Sequence, residues 1–392
     1  MIDPKIKARF PGTQDITYLD TAAEGIPPCS LGDALQAYAR DKNLGTPGRE
    51  RLHEVEREVT AAAGRLLGAS PDNVVLLPNA SEALNLLANS PHWRPGEVLI
   101  SDLEFPSNVA PWLRLRSQGV SLNVISTERG SIGLDDYLSR LSSATRLVSV
   151  SQVSYKSGTQ IPFLKELSEE VHRRGALLCV DATQALGRVP VSVEGIDFLV
   201  SSSYKWLLGS HGLAVVYAAP PLRERLSAST AGWYSIQDLF SPDRFESFSH
   251  KEGAAALMAG MPNFLAIYAL REGLNIILAE GPDRIHAALR PLVRELRQGL
   301  AERGFDLLTP SNPDFASGIV SFTHENPEWL GAQLARRRVI VWAGDGRVRV
   351  SIHLYNDRSD VRRFFAALDS LDQSPADRDA VAVLSAPATR ES

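Results

Sequence analysis

Cysteine and long apolar stretches are both scarce in this chain. It has two cysteines among 392 residues, at positions 29 and 179, and two cysteines do not make a disulfide framework. No apolar run approaches the roughly 18 residues that a membrane-spanning helix needs. The opening MIDPKIKARF lacks the charged and then apolar pattern of a signal peptide. We therefore expect a cytoplasmic protein that does not bind membranes.

Positive charge is not in excess either. The net charge at pH 7 is −5 and the sequence has no basic stripe, which argues against a nucleic-acid-binding protein. Histidine and cysteine do not occur at metal-ligand spacing, so we expect no metal site. No GxGxxG follows a predicted strand. The nearest approach, Gly344–Asp345–Gly346, leads into a strand rather than a helix, which disfavours a nicotinamide-dependent dehydrogenase.

Three apolar runs in the middle of the chain predict buried strands. The composition, 44% hydrophobic and 22% charged, is that of an ordinary globular protein. The runs cover Ala176–Asp181, Ile196–Ser203 and Leu213–Tyr217, and their continuous hydrophobicity is typical of strands in a parallel sheet. The first run ends in a carboxylate, and the second ends in hydroxyls just before Lys205. The sequence therefore predicts polar groups gathered at the strand ends.

A carboxylate, hydroxyls and a lysine in this order suit pyridoxal 5'-phosphate (PLP). An acid beside the pyridine nitrogen keeps the ring protonated as an electron sink, and a lysine amine can form a Schiff base with the aldehyde. Hydroxyls and backbone N–H groups hold a phosphate dianion. Taken singly, Asp181 is more simply interpreted as a helix cap and Lys205 as a solvated lysine. Together, with Ser201, Ser202 and Ser203 between them, they favour a cofactor site.

The segment DATQALGRVPV, followed by SSSYKW 20 residues after its aspartate, resembles the class V aminotransferase group of fold-type I PLP enzymes. That group includes cysteine desulfurases, cystine C–S lyases, isopenicillin N epimerases and kynureninases. The likeness runs from about Tyr18 to Leu371. It implies an α/β fold, in which a large, mostly parallel-sheet domain is joined by a smaller C-terminal α/β domain. It also implies homodimerisation, although Met261 stands where relatives have a threonine that reaches the neighbouring cofactor.

The resemblance assigns roles to residues of the central stretch. It implies Lys205 as the Schiff-base lysine and Asp181 as the partner of the pyridine nitrogen. Gln184 is placed near the phenolic oxygen of the cofactor. Ser202 and Tyr204 are placed on the phosphate.

Two upstream segments supply further candidates for the cofactor site. In Val74–Ser90 a strand leads through a turn into a helix whose free N–H groups suit an anion. The resemblance places the phosphate there, so Ala80 and Ser81 are candidates, although a bare helix cap explains them as well. Phe105 stands where desulfurases and lyases stack a histidine on the ring. It is alternatively an apolar residue of the core.

Other candidates face the substrate. In SQVSYKSGT Tyr155 replaces a family asparagine that contacts cofactor or substrate, although a buried tyrosine with a structural hydrogen bond is an equal alternative. Ala23 lines the substrate side by resemblance, and Trp233 lies in an aromatic-rich segment that we expect to face substrate or a second subunit. Arg349 matches the family arginine that binds the substrate α-carboxylate. Arg347 is the fallback, because it shares that face of the strand.

The same pattern predicts the domain boundaries. Residues 1–30 form an N-terminal segment and residues 31–258 the large PLP-binding domain. Residues 259–372 form the small C-terminal domain. Residues 373–392, rich in Pro, Ser and Ala, are expected to be a flexible tail.

The reaction is left open by the sequence, with a preference. Desulfurases carry a mobile cysteine just before the arginine strand, and Ala343–Gly346 has none, which predicts an enzyme other than a persulfide-forming desulfurase. We expect a C–S lyase that acts on a cysteine conjugate. Transamination, epimerisation and a decarboxylating or oxidative reaction are the alternatives. A non-catalytic PLP-fold binding protein is the alternative of another class. The combination of Asp181, Lys205 and Arg349 argues against it.

Overall fold

The computed structural model describes residues 3, 5–89, 96–128, 130–227 and 229–371. The predicted tail at 373–392 lies outside these residues. Within them the helices are α1 (Leu31–Asn43), α2 (Arg49–Leu67), α3 (Ala80–Asn89), α4 (Ala110–Arg114), α5 (Leu134–Leu138), α6 (Leu164–Arg173), α7 (Pro220–Ser227), α8 (Phe264–Glu280), α9 (Pro282–Glu302), α10 (Pro327–Arg336) and α11 (Arg358–Asp369).

The strands belong to one large and two small sheets across the described ranges. The large sheet has the order β2-β8-β7-β6-β5-β3-β4, and the smaller ones are β11-β12-β9 and β1-β10. The strands are β1 (Thr17–Tyr18), β2 (Val74–Leu77), β3 (Gly96–Ser101), β4 (Val120–Ile125), β5 (Thr145–Ser151), β6 (Leu177–Asp181), β7 (Phe198–Ser202), β8 (Ala214–Ala218), β9 (Ile319–Thr323), β10 (Val339–Ile340), β11 (Trp342–Gly344) and β12 (Arg347–Ser351).

The large sheet is mostly parallel, which confirms the predicted fold class. From β4 through β3, β5 and β6 to β7, each neighbouring pair is parallel. The three predicted central strands all form, as β6, β7 and β8. The expectation that the third of them is parallel is wrong, because β8 pairs antiparallel with β7. The connection from Ser203 to Leu213 is shorter than the dozen or so residues that a parallel crossover needs, so the chain can only turn back.

Amphipathic helices cover the sheet. In α2, Leu52, Val55, Val59 and Leu66 are buried on one face, and this spacing of three, four and seven residues is the helical period. The helix ends at Gly68, whose φ of 67° is the left-handed conformation that favours glycine. α8, which is largely apolar, packs against α1 and α2. These layers enclose a continuous core around the strands.

The C-terminal strands join the N-terminal segment to the rest of the chain. β12 pairs antiparallel with both β9 and β11. The apolar segment at 339–344 forms two separate strands, because β10 turns away to pair with β1. The backbone N–H of Ser351 also donates to the carbonyl of Leu19 at 2.7 Å. The boundaries proposed between the two domains stay a prediction. Among the described residues, no helix has the length and apolar character needed to cross a membrane.

Candidate active site

Polar side chains meet at one edge of the large sheet. Ser151, Asp181 and Ser202 are the last residues of β5, β6 and β7, and Ser151 is in register with Asp181. Lys205 follows β7 after two residues. Because these strands are parallel, their carboxyl ends lie side by side, which is where open α/β sheets place ligands. The gathering of polar groups that the sequence predicted is therefore present.

A cavity lies above these strand ends. It contains all nine residues that the sequence analysis assigned to the cofactor, together with five others. Its lining is Asn79, Ala80, Ser81, Phe105, Ser107, Ser151, Val153, Tyr155, Asp181, Thr183, Gln184, Ser202, Tyr204 and Lys205. Segments far apart in the chain thus meet in one concave site, as small-molecule sites commonly do.

The amine of Lys205 is almost fully enclosed in this cavity. The residue is 8% exposed. The pKa of Lys205 is lowered to about 8, mainly by burial and also by the charge of Arg349, while Asp181 and two other carboxylates act in the opposite direction. Desolvation disfavours an ammonium ion. About a tenth of this lysine is therefore the neutral, nucleophilic amine at pH 7, and the neutral fraction increases steeply between pH 7 and pH 9.

Asp181 is a buried carboxylate that is fixed in place by a hydrogen bond from a nearby backbone N–H group. One oxygen accepts a hydrogen bond from the N–H of Thr183 at 2.8 Å. Burial raises the pKa of Asp181, while hydrogen bonds from Thr183 and the charge of Lys205 lower it. Thr183 in turn accepts from the N–H of Ser202 at 3.2 Å, so it connects the ends of β6 and β7. Thr183 was not among the predicted site residues, although its place two residues after Asp181 is a usable signal.

The start of α3 forms the far wall of the cavity. Asn79 caps the helix, because its side-chain oxygen accepts from the N–H of Glu82 at 2.8 Å. The first N–H groups of any helix have no partner within it, and those of α3 belong to Ala80 and Ser81 at the cavity. The hydroxyl of Ser81 bonds that of Ser107 at 2.9 Å. Ser107 was also missed, since nothing in the sequence brings it next to α3.

Aromatic rings surround the lysine. Lys205 Nζ lies 5.5 Å from the ring centres of both Phe105 and Tyr204. Phe105 meets Tyr155 edge to face at 5.0 Å. Tyr204 stacks on His211 at 4.4 Å. A flat ring bound in this cavity would thus have aromatic neighbours on several sides.

Gln184 connects the cavity to the N-terminal segment. Its side-chain nitrogen donates to the carbonyl of Ala22 at 2.9 Å, and its oxygen accepts from the indole of Trp206 at 2.6 Å. Gly25 donates its backbone N–H to the carbonyl of Tyr204 at 2.8 Å. A Cβ at Gly25 would lie 2.1 Å from the carbonyl oxygen of Lys205. The segment packs directly on the lysine loop only because this residue is glycine.

Arg349 is buried beside the cavity at 4% exposure. Its Nη1 donates to the carbonyl of Tyr155 at 3.0 Å, and its Nη2 lies 3.5 Å from a carboxylate oxygen of Asp20. Burial raises the pKa of Asp20 to about 6, although the charge of Arg349 lowers it. Asp20 was not among the predicted site residues. Its place in the N-terminal YLD segment is the signal that could have found it.

Besides Arg349 and its fallback Arg347, three residues singled out in the sequence lie outside the cavity lining. Ala23 is half-buried and donates its N–H to the carbonyl of Asp20 at 2.9 Å, so it adjoins the Arg349 contact. Trp233 is 51% exposed and meets Tyr234 edge to face at 5.5 Å. Met261 is 42% exposed. Their predicted roles stay predictions.

The donors and acceptors at the cavity fit PLP. An amine with a lowered pKa, a buried carboxylate beside it and a helix start rimmed by hydroxyls match the aldehyde, the ring nitrogen and the phosphate. The fold and these groups define a PLP-dependent enzyme of the α/β class with a mostly parallel central sheet.

The comparisons show the family. The profile "Aminotransferase class-V" matches residues 17–364, and this chain belongs to that family, whose cofactor is PLP. An uncharacterized aminotransferase of Bacillus subtilis, YcbU, is 27% identical and covers 90% of this chain and 94% of its own. A probable cysteine desulfurase of Pseudomonas aeruginosa is 30% identical, with 93% and 96% covered. The apo structure of a cysteine desulfurase from Thermococcus onnurineus superposes with a TM-score of 0.87, at 25% identity and 95% and 98% coverage.

These relatives correct one expectation. The sequence analysis excluded a persulfide-forming cysteine desulfurase, and that exclusion is contradicted because relatives and structural neighbours are named cysteine desulfurases. The exclusion used the absence of cysteine from Ala343–Gly346 alone. A missing thiol in one loop does not decide a reaction, since the chain has an exposed cysteine, Cys29, elsewhere.

Proposed function

We propose that this chain is a PLP-dependent C–S lyase that releases a thiol from a cysteine conjugate by β-elimination. The supporting observation is the enclosed amine of Lys205, which is subject to the charges of Asp181 and Arg349. Elimination needs a base for the α-proton, a clamp for the α-carboxylate and a carboxylate that can pair with the ring nitrogen of the cofactor. These three residues have the required chemistry, and no additional acceptor group is needed.

The residues around the cavity have distinct tasks toward the cofactor. Lys205 would be the attachment point and Asp181 the partner of the ring nitrogen. The start of α3 and Ser202 would hold the phosphate, and Phe105 would pack against the ring. When bound, PLP supplies an electron sink that stabilises negative charge at the α-carbon of an amino acid.

Lys205 and Arg349 act on the substrate. The Arg349 guanidinium pairs with the α-carboxylate and thereby orients the α-hydrogen. Lys205 Nζ, with its pKa near 8, accepts that proton at neutral to mildly basic pH. Burial among Phe105, Tyr155 and Tyr204 limits the access of water to the base.

The relatives favour a second candidate, cysteine desulfurase. In that reaction the sulfur is transferred to a cysteine of the enzyme. Of the two cysteines, Cys29 is exposed and Cys179 is buried in β6, where burial raises its pKa well above the usual value. A thiolate is the reactive form, so Cys29 is the acceptor under this candidate.

Product analysis separates the candidates. A C–S lyase forms pyruvate, ammonia and thiol from a cysteine conjugate, whereas a desulfurase forms alanine from cysteine. Transamination requires an added keto acid, and epimerisation returns the other enantiomer. Alanine production that is lost in Cys29→Ser establishes the desulfurase and refutes the lyase. A protein that binds PLP but forms no product supports the non-catalytic alternative.

The role of Lys205 has a direct test. After borohydride reduction, we expect a pyridoxyl mass on the peptide that contains Lys205. We also expect Lys205→Ala to lose that mass and at least about a hundredfold of its turnover. Lys165→Ala is the matched control, because that lysine is 64% exposed in its side chain. A pyridoxyl mass elsewhere, or unchanged turnover in Lys205→Ala, contradicts the assignment.

We also propose a homodimer. Relatives of this family build the cofactor site at a subunit interface, and the segment from Trp233 onward exposes large apolar side chains. Phe240 is 85% exposed and Phe245 is 86% exposed, as is typical of an interface in an isolated protomer. Light scattering should give twice the chain mass of 42.7 kDa. A monomer at micromolar concentration contradicts this proposal.

A further inference from the structure

A second arginine is buried next to the proposed carboxylate clamp. Arg347 is 2% exposed and precedes Arg349 by two residues on β12. Alternate residues of a strand share a face and lie roughly 6.6 Å apart along it. The two guanidinium groups are therefore neighbours, and the reaction proposed above uses only one of them.

Aromatic rings connect Arg347 to the cavity. Its guanidinium carbon lies 4.6 Å from the ring centre of Trp342 and 5.4 Å from that of Tyr155. Arg349 shares the indole, at 5.2 Å, because Trp342 is its cross-strand partner. Tyr155 itself lines the cavity. The guanidinium of Arg347 is thus separated from the enclosed space around Lys205 by the ring of Tyr155 alone.

The hydrogen-bonding capacity of the two arginines is not used up. Within the described part of the chain, Nε of Arg347 and Nε of Arg349 are buried without a hydrogen-bond partner. A guanidinium has five N–H donors in a planar fork that fits a carboxylate. Burying such a charge is costly unless its donors are paired. Each arginine can therefore take a further anionic partner.

The acid that pairs with Arg347 comes from an exposed turn. Asp345 forms an ion pair with Arg347, and its own side chain is 72% exposed. It has a φ of 50°, and Gly346 has a φ of 71°, as in the two-residue turn of a tight hairpin. A carboxylate of a ligand can replace an exposed carboxylate at little cost in free energy, because the displaced side chain is hydrated by solvent.

We propose that the substrate is a cysteine conjugate whose sulfur substituent carries a second carboxylate. This inference rests on the proposed function for the position of the amino acid. Arg349 binds the α-carboxylate and Arg347 binds the distal one, replacing Asp345. In S-carboxymethylcysteine the two carboxylates are separated by Cα, Cβ, Sγ and one methylene carbon, a span that suits two arginines on alternate positions of a strand. Arg347 is thus a specificity-determining residue.

The matched pair of substrates is S-carboxymethylcysteine and S-carbamoylmethylcysteine. They differ only in the distal group, which is a carboxylate in the first and a neutral amide in the second. We expect the holoenzyme to have a KM about tenfold to a hundredfold lower for the acid, since a hydrogen bond to a charged group contributes about that much. Arg347→Met should remove the difference, and Arg347→Lys should keep part of it. Arg303→Met is the control, because Arg303 pairs with Asp369 away from β12. This variant should leave the KM difference unchanged.

Two further measurements separate specificity from structure. Asp345→Asn removes the competing carboxylate, so the preference for the acid should increase, whereas a purely structural ion pair predicts no increase. Calorimetry with adipate and adipamate, which keep the four-atom spacing between the two end groups but lack the amine, should show the same preference and the same dependence on Arg347.

The outcomes distinguish this inference from the lyase proposal. If neither conjugate yields pyruvate but adipate binds better than adipamate through Arg347, the lyase proposal fails and the second-carboxylate site stands. If both conjugates yield pyruvate with equal KM, the site is refuted and the lyase stands. Equal binding of adipate and adipamate to the wild-type protein likewise overturns the second-carboxylate site.

Discussion

At the scale of single residues, the cavity brings together charged side chains that shift one another's pKa values. Lys205 is enclosed with Arg349, which lowers its pKa, and with Asp181, Glu24 and Asp20, which raise it. Burial is the largest influence and favours the neutral amine. The folded protein therefore holds an amine that is costly to protonate but ready to react, as is common where function opposes stability.

This cost predicts a pH-dependent stability in the apoprotein. The pKa of Lys205 is about 8 when folded, against an unperturbed 10.5. Since the unfolded chain binds more protons between these values, the lysine destabilises the fold at pH 7, and the penalty fades from pH 8 to about 10.5. Apo Lys205→Met should be more stable than the apo wild type at pH 7 by roughly 3 kcal/mol.

Denaturant unfolding at pH 7 and pH 10 measures this difference. The gain should be clearly smaller at pH 10, where the wild-type amine is neutral. Lys165→Met, at an exposed lysine, should show neither the gain nor its pH dependence. An equal gain at both pH values would mean that the stabilisation comes from apolar packing of methionine rather than from the buried charge.

At the scale of secondary-structure elements, the site is built from the ends of strands and the start of a helix. Asp181 and Ser202 are the last residues of their strands, and Ala80 is the first residue of α3. Parallel strands place their carboxyl ends at one edge, and the turns beyond them supply unpaired backbone donors. The tip of α3 depends on its cap, Asn79, for the geometry of those donors.

The cap therefore predicts a coupled effect. Asn79→Ala should destabilise the protein by about 1 kcal/mol and weaken PLP binding several-fold, because the first turn of α3 frays beside the phosphate. Asn326→Ala is the matched control, since Asn326 caps α10 through the N–H of Trp329 at 3.1 Å and has no place in the cavity lining. It should lose similar stability and keep the cofactor affinity, measured by fluorescence titration of apoprotein. Equal PLP affinities in both variants would contradict the role of α3.

At the scale of the whole molecule, the N-terminal segment joins parts that are distant in sequence. β1 pairs with β10, and the hydroxyls of Thr21 and Tyr355 meet at 2.5 Å. Gly25 lies against the lysine loop of the large sheet. One short segment thus contacts both the C-terminal strands and the cavity wall, and it carries Asp20 to Arg349.

A single methyl group tests this arrangement. In Gly25→Ala the Cβ would overlap the carbonyl of Lys205, so the segment must move and lose its bond to Tyr204. We expect a loss of about 2 kcal/mol or more and weaker cofactor binding. Gly32→Ala in α1, where the Cβ meets nothing within 4 Å, should be neutral or stabilising. Thermal unfolding of the two holoproteins gives the comparison, and a Gly25→Ala melting curve that matches the wild type would refute the packing argument.

Much of the site was predictable because its residues carry local signals. Asp181 and Lys205 follow apolar runs that can only be buried strands, and Ala80 follows a strand and a turn. Asp20, Thr183 and Ser107 were missed since no local pattern shows what they approach in space.

The sequence by itself determined the strands, the helix starts and the residue types that a PLP aldehyde requires, because hydrophobic periodicity and capping act over short distances along the chain. Only the tertiary structure decided that β10 leaves its neighbour to pair with β1. It also decided that Asp20 meets Arg349 across more than three hundred residues. Such contacts depend on the packing of whole elements against one another, and no short segment contains that information.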